Sequence, residues 1–257
     1  MSQNTQLKAI SGSIYDTAVA ATSAKALGSR IPFLGQTVEF DDGRKFVYCS
    51  TASNFVAGEM VAVATALAVE FANKLTAAAI GATSVVLNTT GAAIFGGTNA
   101  VWAASALAGG YLMITDDAGE GYSYRIKDNT GSTAAAPTTT ITLFDPLKVA
   151  VTAASDCNLV GAKHRKVVEG AVALSPIGAA VVPTTAATDG VEQFFWVQTK
   201  GPAVCLGAAT VGVEVASAAS GAVANAAEAG SGVYDRIIGT GLGTTSDGYA
   251  AVDLRLG

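Results

Sequence analysis

The 257-residue chain holds one histidine, His164, and three cysteines, Cys49, Cys157 and Cys205. One histidine removes any metal site built on several imidazoles. A Ser/His/Asp or Cys/His centre would have to use the same residue. It lies among cations, Lys163 before it and Arg165-Lys166 after it, and no Gly-x-Ser-x-Gly elbow occurs in the chain. The expectation is a solvated loop histidine rather than a catalytic one. The cysteines are odd in number and widely spaced, with no Cys-x-x-Cys pair, which argues against a disulfide framework and a zinc site. They read as small buried thiols of a reducing compartment. Charge is also scarce. Only 14% of residues are charged and the formal net charge is -5, so there is no basic field for a phosphate backbone and nucleic acid is not an expected partner. Long apolar runs are missing too: Asp16, Glu70 and Lys74 interrupt the longest candidates, which predicts no transmembrane segment and no membrane partner. The first residues are polar without a basic-then-apolar design, so synthesis in a cytoplasm without secretion is expected.

What is present is apolar and β-prone. Half the residues are hydrophobic, more than a soluble monomer needs, which suggests surface destined for other subunits. The densest aromatic stretch runs from Phe194 to Pro202. Phe194 and Trp196 alternate with Phe195 and Val197, so both faces are bulky, as in a strand covered on two sides. Gly201-Pro202 is expected to end it, because proline cannot donate to a ladder. Residues 35 to 50 read as a hairpin whose register can be decided on paper. A two-residue Asp42-Gly43 turn would mix charge and aromatic on both faces. A three-residue loop, Asp41-Asp42-Gly43, instead pairs Glu39 with Lys45 and Val38 with Phe46, placing Val38, Phe40, Phe46 and Tyr48 on one face.

Further strands are expected over 60–63, 81–88, 111–115, 122–127, 138–144 and 157–160, then over 167–173, 178–182, 211–215, 234–238 and 252–256. In the last, Val252, Leu254 and Leu256 face inward. Residues 64–79 fit helix through Leu67, Phe71 and Leu75, and strand through Val61, Val63 and Val69; the pattern does not choose. Near the start, Ser13 to Asp16 fits a capping box and Gly28 a stop, predicting a short helix over about 14 to 27 in an arm that either docks on a neighbour or frays. The fold class expected is all-β: an arm over 1–31, then two small β-sandwich or β-barrel units over 32–165 and 166–257.

Candidate chemistry is thin. Asp116, Asp117 and Glu120 could offer oxygens to Ca²⁺, but acidic Gly-rich turns are ordinary hairpin chemistry and the turn is preferred. Gly239-Thr240-Gly241-Leu242-Gly243 lacks the strand, helix and acidic context of a dinucleotide loop and reads as a flexible turn before the last strand. No pair of carboxylates stands out for glycoside cleavage. No catalytic, cofactor-binding or metal residue is assigned, and no cofactor is expected.

Five passages, taken in order, resemble the capsid decoration or cement proteins of tailed bacteriophage virions. They are residues 32–47 with Asp42-Gly43-Arg44-Lys45-Phe46; Gly109 to Ile114 leading into Gly119 to Ile126; Leu143-Phe144-Asp145-Pro146-Leu147; Phe195 to Ala203; and Val252-Asp253-Leu254. The resemblance spans about residues 32 to 257 and leaves 1–31 and 64–80 unmatched. It implies a non-enzymatic β protein made in a host cytoplasm. On the virion it would sit outside the capsid lattice, commonly as a homotrimer, and brace the major capsid protein. The other reading is a β-rich adhesion or glycan-binding module of a phage fibre or surface layer, using Trp102 or the tyrosines; an enzyme ranks third.

Overall fold

Short runs of β-branched and aromatic residues, punctuated by Gly and Asp, favour strands and turns, and the protein is all-β. The computed structural model describes residues 19–20, 34–63, 68–71, 74–88, 90–94, 97–99, 103–133, 135–171, 174–185, 192–226, 236–244 and 247–256. The strands are β1 (Val19–Ala20), β2 (Thr37–Glu39), β3 (Lys45–Thr51), β4 (Met60–Ala62), β5 (Ala68–Phe71), β6 (Ser84–Asn88), β7 (Thr90–Ile94), β8 (Gly97–Asn99), β9 (Tyr111–Asp116) and β10 (Ser123–Asn129). They continue as β11 (Thr138–Leu143), β12 (Asp156–Val160), β13 (Val168–Glu169), β14 (Pro176–Ala180), β15 (Gln193–Leu206), β16 (Glu214–Ser217), β17 (Val223–Asn225), β18 (Ile237–Thr244) and β19 (Tyr249–Arg255). Among the described residues the one helical element is a 3-10 turn, Ala219–Gly221.

The chain forms two compact units, one combining Met1–Thr65 with His164–Gly257 and the other formed by Ala66–Lys163. This corrects the expected pair of consecutive units. The joint near 165 survives, but the residues up to 65 belong with the C-terminal half. The physical reason is non-local: β3 pairs antiparallel with β15, Trp196 opposite Tyr48 and Val197 opposite Val47. A reading along the chain cannot see that closure. The arm helix is corrected where it can be seen, since Val19–Ala20 is extended and pairs with Phe194 and Gln193; the rest of that helix lies outside the described residues.

The first unit holds an 11-stranded sheet with the path β13-β4-β14-β15-β19-β18-β16-β17, to which β1, β2 and β3 attach through β15. The first hairpin takes the three-residue loop. Val38 pairs with Phe46 and Glu39 with Lys45, and Gly43 has φ +83°, a left-handed value that glycine adopts without strain. Val38, Phe46, Tyr48 and Trp196 form one buried cluster with Phe40, Val181 and Phe194 packed against it. Trp196 meets Tyr48 at 5.0 Å between centroids, and Phe195, on the other face, meets Phe55 at 5.8 Å. Two-sided burial of the aromatic strand is therefore real.

Its predicted end is not. β15 continues through Gly201-Pro202 for 14 residues. Gly201 takes φ +83°, the register against β3 shifts between Gln198 and Lys200, and from Lys200 to Leu206 the strand pairs with β19. Leu206 N–H points away from β19, donating to Gly58 O at 2.8 Å. Pro202 has the same parity, so its missing N–H lies on the side β19 does not use. A second core, including Met60, Cys205, Val215, Ile238, Val252 and Leu254, lies under this half, with the inward set of β19 as its alternation predicts.

The second unit has a six-stranded sheet in the order β5-β12-β9-β10-β11-β6 and a separate β7-β8 pair. Leu112, Ile114, Tyr124, Ile126, Ile141, Leu143, Cys157 and Leu159 fill its core. Within 64–79 the described residues are extended: β5 pairs with β12, and Leu75 bridges to Leu87. Several strand limits also move: β13 spans only Val168–Glu169, β14 spans Pro176–Ala180 and β10 runs on to Asn129. Residues 211–213 form a turn before β16, and β18 runs through the glycine-rich segment up to Thr244.

Trp196→Ala is expected to lower the unfolding free energy by about 3 to 5 kcal/mol, read from denaturant titration followed by tyrosine fluorescence and circular dichroism. A loss below about 1 kcal/mol would mean that the aromatic cluster repacks around the gap.

Candidate functional site

The residues nominated from sequence do not converge. His164 is half-buried rather than solvated. Its backbone oxygen accepts from Ser50 N at 2.9 Å, and its Nδ1 lies 2.9 Å from where a β-carbon on Gly35 would stand. Beside it, Arg165 Nε and Nη2 donate to Glu192 Oε1 at 2.9 and 2.8 Å, Ser50 Oγ donates to Glu192 Oε2 at 2.9 Å, and Lys166 N donates to Ser50 Oγ at 3.2 Å. A serine, a carboxylate and a cation thus meet, but Ser50 has no exposed surface. The group works as a clasp tying β3 to the residue before β15, and no substrate reaches its hydroxyl.

The acidic loop is built as a turn. Asp116 Oδ1 accepts from Asp117 N at 2.8 Å, and Asp117 Oδ2 accepts from Thr152 Oγ1 at 2.6 Å. That hydroxyl and the backbone around Ala118 hold the Asp117 carboxyl below its ordinary value. Among the described residues, no group of three or more His, Cys, Asp or Glu side chains is placed to hold a metal ion. All three cysteines are buried and none forms a disulfide, and burial pushes Cys157 and Cys205 up to about 12, the Asp156 charge adding to the effect at Cys157. Such thiols stay protonated and unreactive.

Gly239 to Gly243 is a strand, not the expected flexible turn. A β-carbon on Gly239 would stand 2.2 Å from Asp253 O, and one on Gly241 would stand 2.2 Å from Thr210 O. These glycines admit neighbouring backbone rather than a phosphate. Trp102 lies outside the described residues. No helix among the described residues is long and apolar enough to cross a membrane.

What the fold does assemble is a surface of the first unit, at the bend of β15. Gln198 Nε2 donates to the carbonyls of Lys200 at 3.1 Å and Pro202 at 2.8 Å, satisfying acceptors that the bulge releases. Arg44 Nε donates to Asp42 Oδ2 at 2.6 Å, and its guanidinium lies 5.5 and 5.8 Å from the Phe40 and Phe46 ring centres. Gly58 spans from β14 to β15, its N–H on Ala180 O and its O on Leu206 N, each 2.8 Å. Between these walls lies a groove of about 420 Å³ lined by Arg44, Gly58, Gln198, Pro202, Val204 and Tyr249 among others.

The groove opens on an apolar sheet face. Val204 is 63% exposed and Leu242 48%. Val204 pairs with Ala251 and Ala251 with Gly243, and the register slips between Gly241 and Gly243, so Leu242 is the extra residue. Val211 and Val213 adjoin it through the 2.9 Å bond from Gly212 N to Gly241 O and the 2.8 Å bond from Gly241 N to Val213 O. One guanidinium, one amide and one phenol stand among carbon atoms. Such a lining holds an apolar side chain by contact and can orient an acceptor, but it supplies no nucleophile and base pair.

This unit also buries a carboxylate, Glu59, which is 7% exposed. Its Oε2 accepts from Val56 N at 2.8 Å, and a β-carbon on Gly221 would stand 2.2 Å from its Cγ. Burial raises its pKa above the ordinary 4.5, the Val56 N–H opposes the shift, and the charge on Glu169 adds to it. No protein-family model, curated protein or solved structure matches the chain.

The sign of the Glu59 effect follows from its raised folded value. The ionised form is the costlier one in the folded chain, so stability falls as pH climbs from the unfolded value through the folded one. Glu59→Gln keeps an acceptor for Val56 N–H and is expected to remove this fall, raising stability at neutral pH and changing little at about pH 4. Thermal melts across pH read this directly, and parallel curves for the two proteins would refute it.

Proposed function

We propose that the protein is a non-enzymatic virion structural protein, a capsid decoration protein that binds the outside of a phage head lattice and stabilises it. In this reading it is made in the host cytoplasm, assembles with copies of itself, three being the expected number, and contacts the major capsid protein. The observation that carries the reading is exposed apolar surface of the first unit: Val204, which lines the groove, is 63% exposed, and Leu242 and Val211 are 48 and 70% exposed. Contiguous exposed apolar surface marks a place where another protein sits. The described residues around it offer no acid–base or nucleophilic pair, so contact rather than turnover is what the face can do. A ligand that engages only the expanded lattice stabilises that lattice by mass action, and many identical contacts multiply the effect. The ordered passages that resemble decoration proteins supply the identity of the partner.

Val204→Glu tests the face, because the side chain is exposed and the fold should tolerate the change. Co-sedimentation with the expanded and unexpanded shells of the source particle is expected to show binding to expanded shells that the variant weakens by at least about tenfold. Wild-type protein indifferent to both shells would sink the proposal, and a variant that binds like wild type would move the contact elsewhere.

A further inference from the structure

The second unit carries an exposed row that its own fold does not use. Val160 pairs with Tyr111 and Tyr111 with Arg125, and Phe144 N donates to Arg125 O at 3.0 Å. One line of residues therefore crosses β12, β9 and β10 to the end of β11. Tyr111 is 42% and Phe144 49% exposed. Arg125 lies between them with its guanidinium 5.1 Å from the Phe144 ring centre. The ion pairs among the described residues are Arg44 with Asp42, Arg165 with Glu192 and Arg255 with Asp253, so Arg125 has no carboxylate partner there. Lys127, also exposed, follows on the same face of β10. Tyr, Phe and Arg are the side chains that concentrate binding energy at protein interfaces. A guanidinium stacked on a ring is also already oriented, which lowers the entropy lost on pairing.

The chain supplies the matching group. The loop closing the same β9-β10 hairpin is acidic; Asp116 and Glu120 are exposed, Asp117 is engaged by Thr152, and the Glu120 carboxylate makes no bond within the described residues. Five residues of extended chain place the row about 17 Å from the loop, so each copy has a cationic aromatic end and an acidic end on one rigid hairpin. We infer that the Tyr111–Arg125–Phe144 row docks the 116–121 loop of a second copy, with Glu120 and Asp116 meeting Arg125 between the two rings. The contact is head-to-tail, so it repeats from copy to copy and closes into a ring when the rotation allows. It rests on the self-assembly part of the proposed function and names the surface and charges responsible. An acidic chain with a net charge of -5 would otherwise repel its copies, and local charge complementarity fixes register against that background.

The test is a charge exchange followed by sedimentation velocity over a concentration series. Arg125→Glu and Glu120→Lys, each on an exposed side chain, should each weaken self-association by about thirtyfold. Combined in one chain they should restore it to within about threefold, because the pair is regenerated with reversed sign. Salt of about 1 M should weaken the wild-type assembly and the double variant alike. Wild type that assembles while both single variants assemble equally well overturns the row as the interface and leaves self-assembly standing. Wild type that stays monomeric throughout overturns both. A monomer that instead binds an acidic glycan, with binding lost in Arg125→Glu, also overturns it and makes the row a sugar platform. Charge-exchange rescue without any shell binding supports the interface while the decoration reading fails.

Discussion

The structure depends on one strand serving two ladders. β15 pairs with β3 along its first half and with β19 along its second, and the register against β3 shifts between Gln198 and Lys200, where the change falls. The change of neighbour is made at Gly201, whose φ of +83° re-aims the backbone, and Gln198 binds the carbonyls that the bend releases. Everything nearby is shaped by that bend. A β-carbon on Gly201 would stand 3.0 Å from Arg44 Cγ, and one on Gly178 would stand 2.1 Å from Gln198 O, so the first hairpin and β14 both close on it through residues without side chains. The groove is the space left over where these elements part.

The same bend separates what the residues disclose from what they conceal. Hairpin register is legible because a one-residue slip would put Lys45 among rings, an energetic difference visible without coordinates. Two-sided burial of Phe194 to Val197 is legible for a similar reason: bulk on both alternating sets leaves no polar face to turn toward water. Gly201-Pro202 misleads because proline's rule concerns a missing donor, and the rule has no force where the neighbour on that side has departed. Gly239 to Gly243 misleads in a related way. Glycine permits a turn, but it also permits close backbone approach, and which applies depends on contacts with β19 and the 208–213 turn that no local pattern encodes. Residues 64–79 are undecidable from their own pattern because the stabilising partners of β5, Leu159 and its neighbours, lie about ninety positions on and repay extended backbone only after folding.

The candidate surface is less legible than the fold. Its residues come from the hairpin end, the 55–59 loop, β14, β15 and β19, and no spacing links Arg44 to Pro202 or Tyr249. The general expectation of surplus apolar surface is readable from composition, yet composition spreads that surplus evenly over Ala and Val. The fold concentrates it: small residues line the closely approached strands, while Val204, Val211 and Leu242 are left outside. Conversely, the feature that looks most chemical in sequence, the His164-Arg165-Lys166 cluster, becomes structural once Glu192 stands beside it, a contact between residues with no pattern in common.

The exposed Val204 and Leu242 of the first unit and the Arg125 row of the second are chemically different surfaces, and the difference has a physical consequence. Apolar burial is roughly proportional to area and nearly indifferent to rotation about the contact normal, so a face of Val, Leu and Ala supplies adhesion without orientation. A guanidinium held against a ring favours a carboxylate at one distance and one angle, so in the proposed self-contact the Arg125 row would supply orientation with little area. In the proposed role, a protein sitting on a repeating lattice at one rotation would need both terms. Neither can be replaced by enlarging the other: more apolar area would broaden the set of acceptable poses, and more charge would be screened at physiological salt. Placing them on separate compact units, each with its own core, lets one surface change without repacking the other.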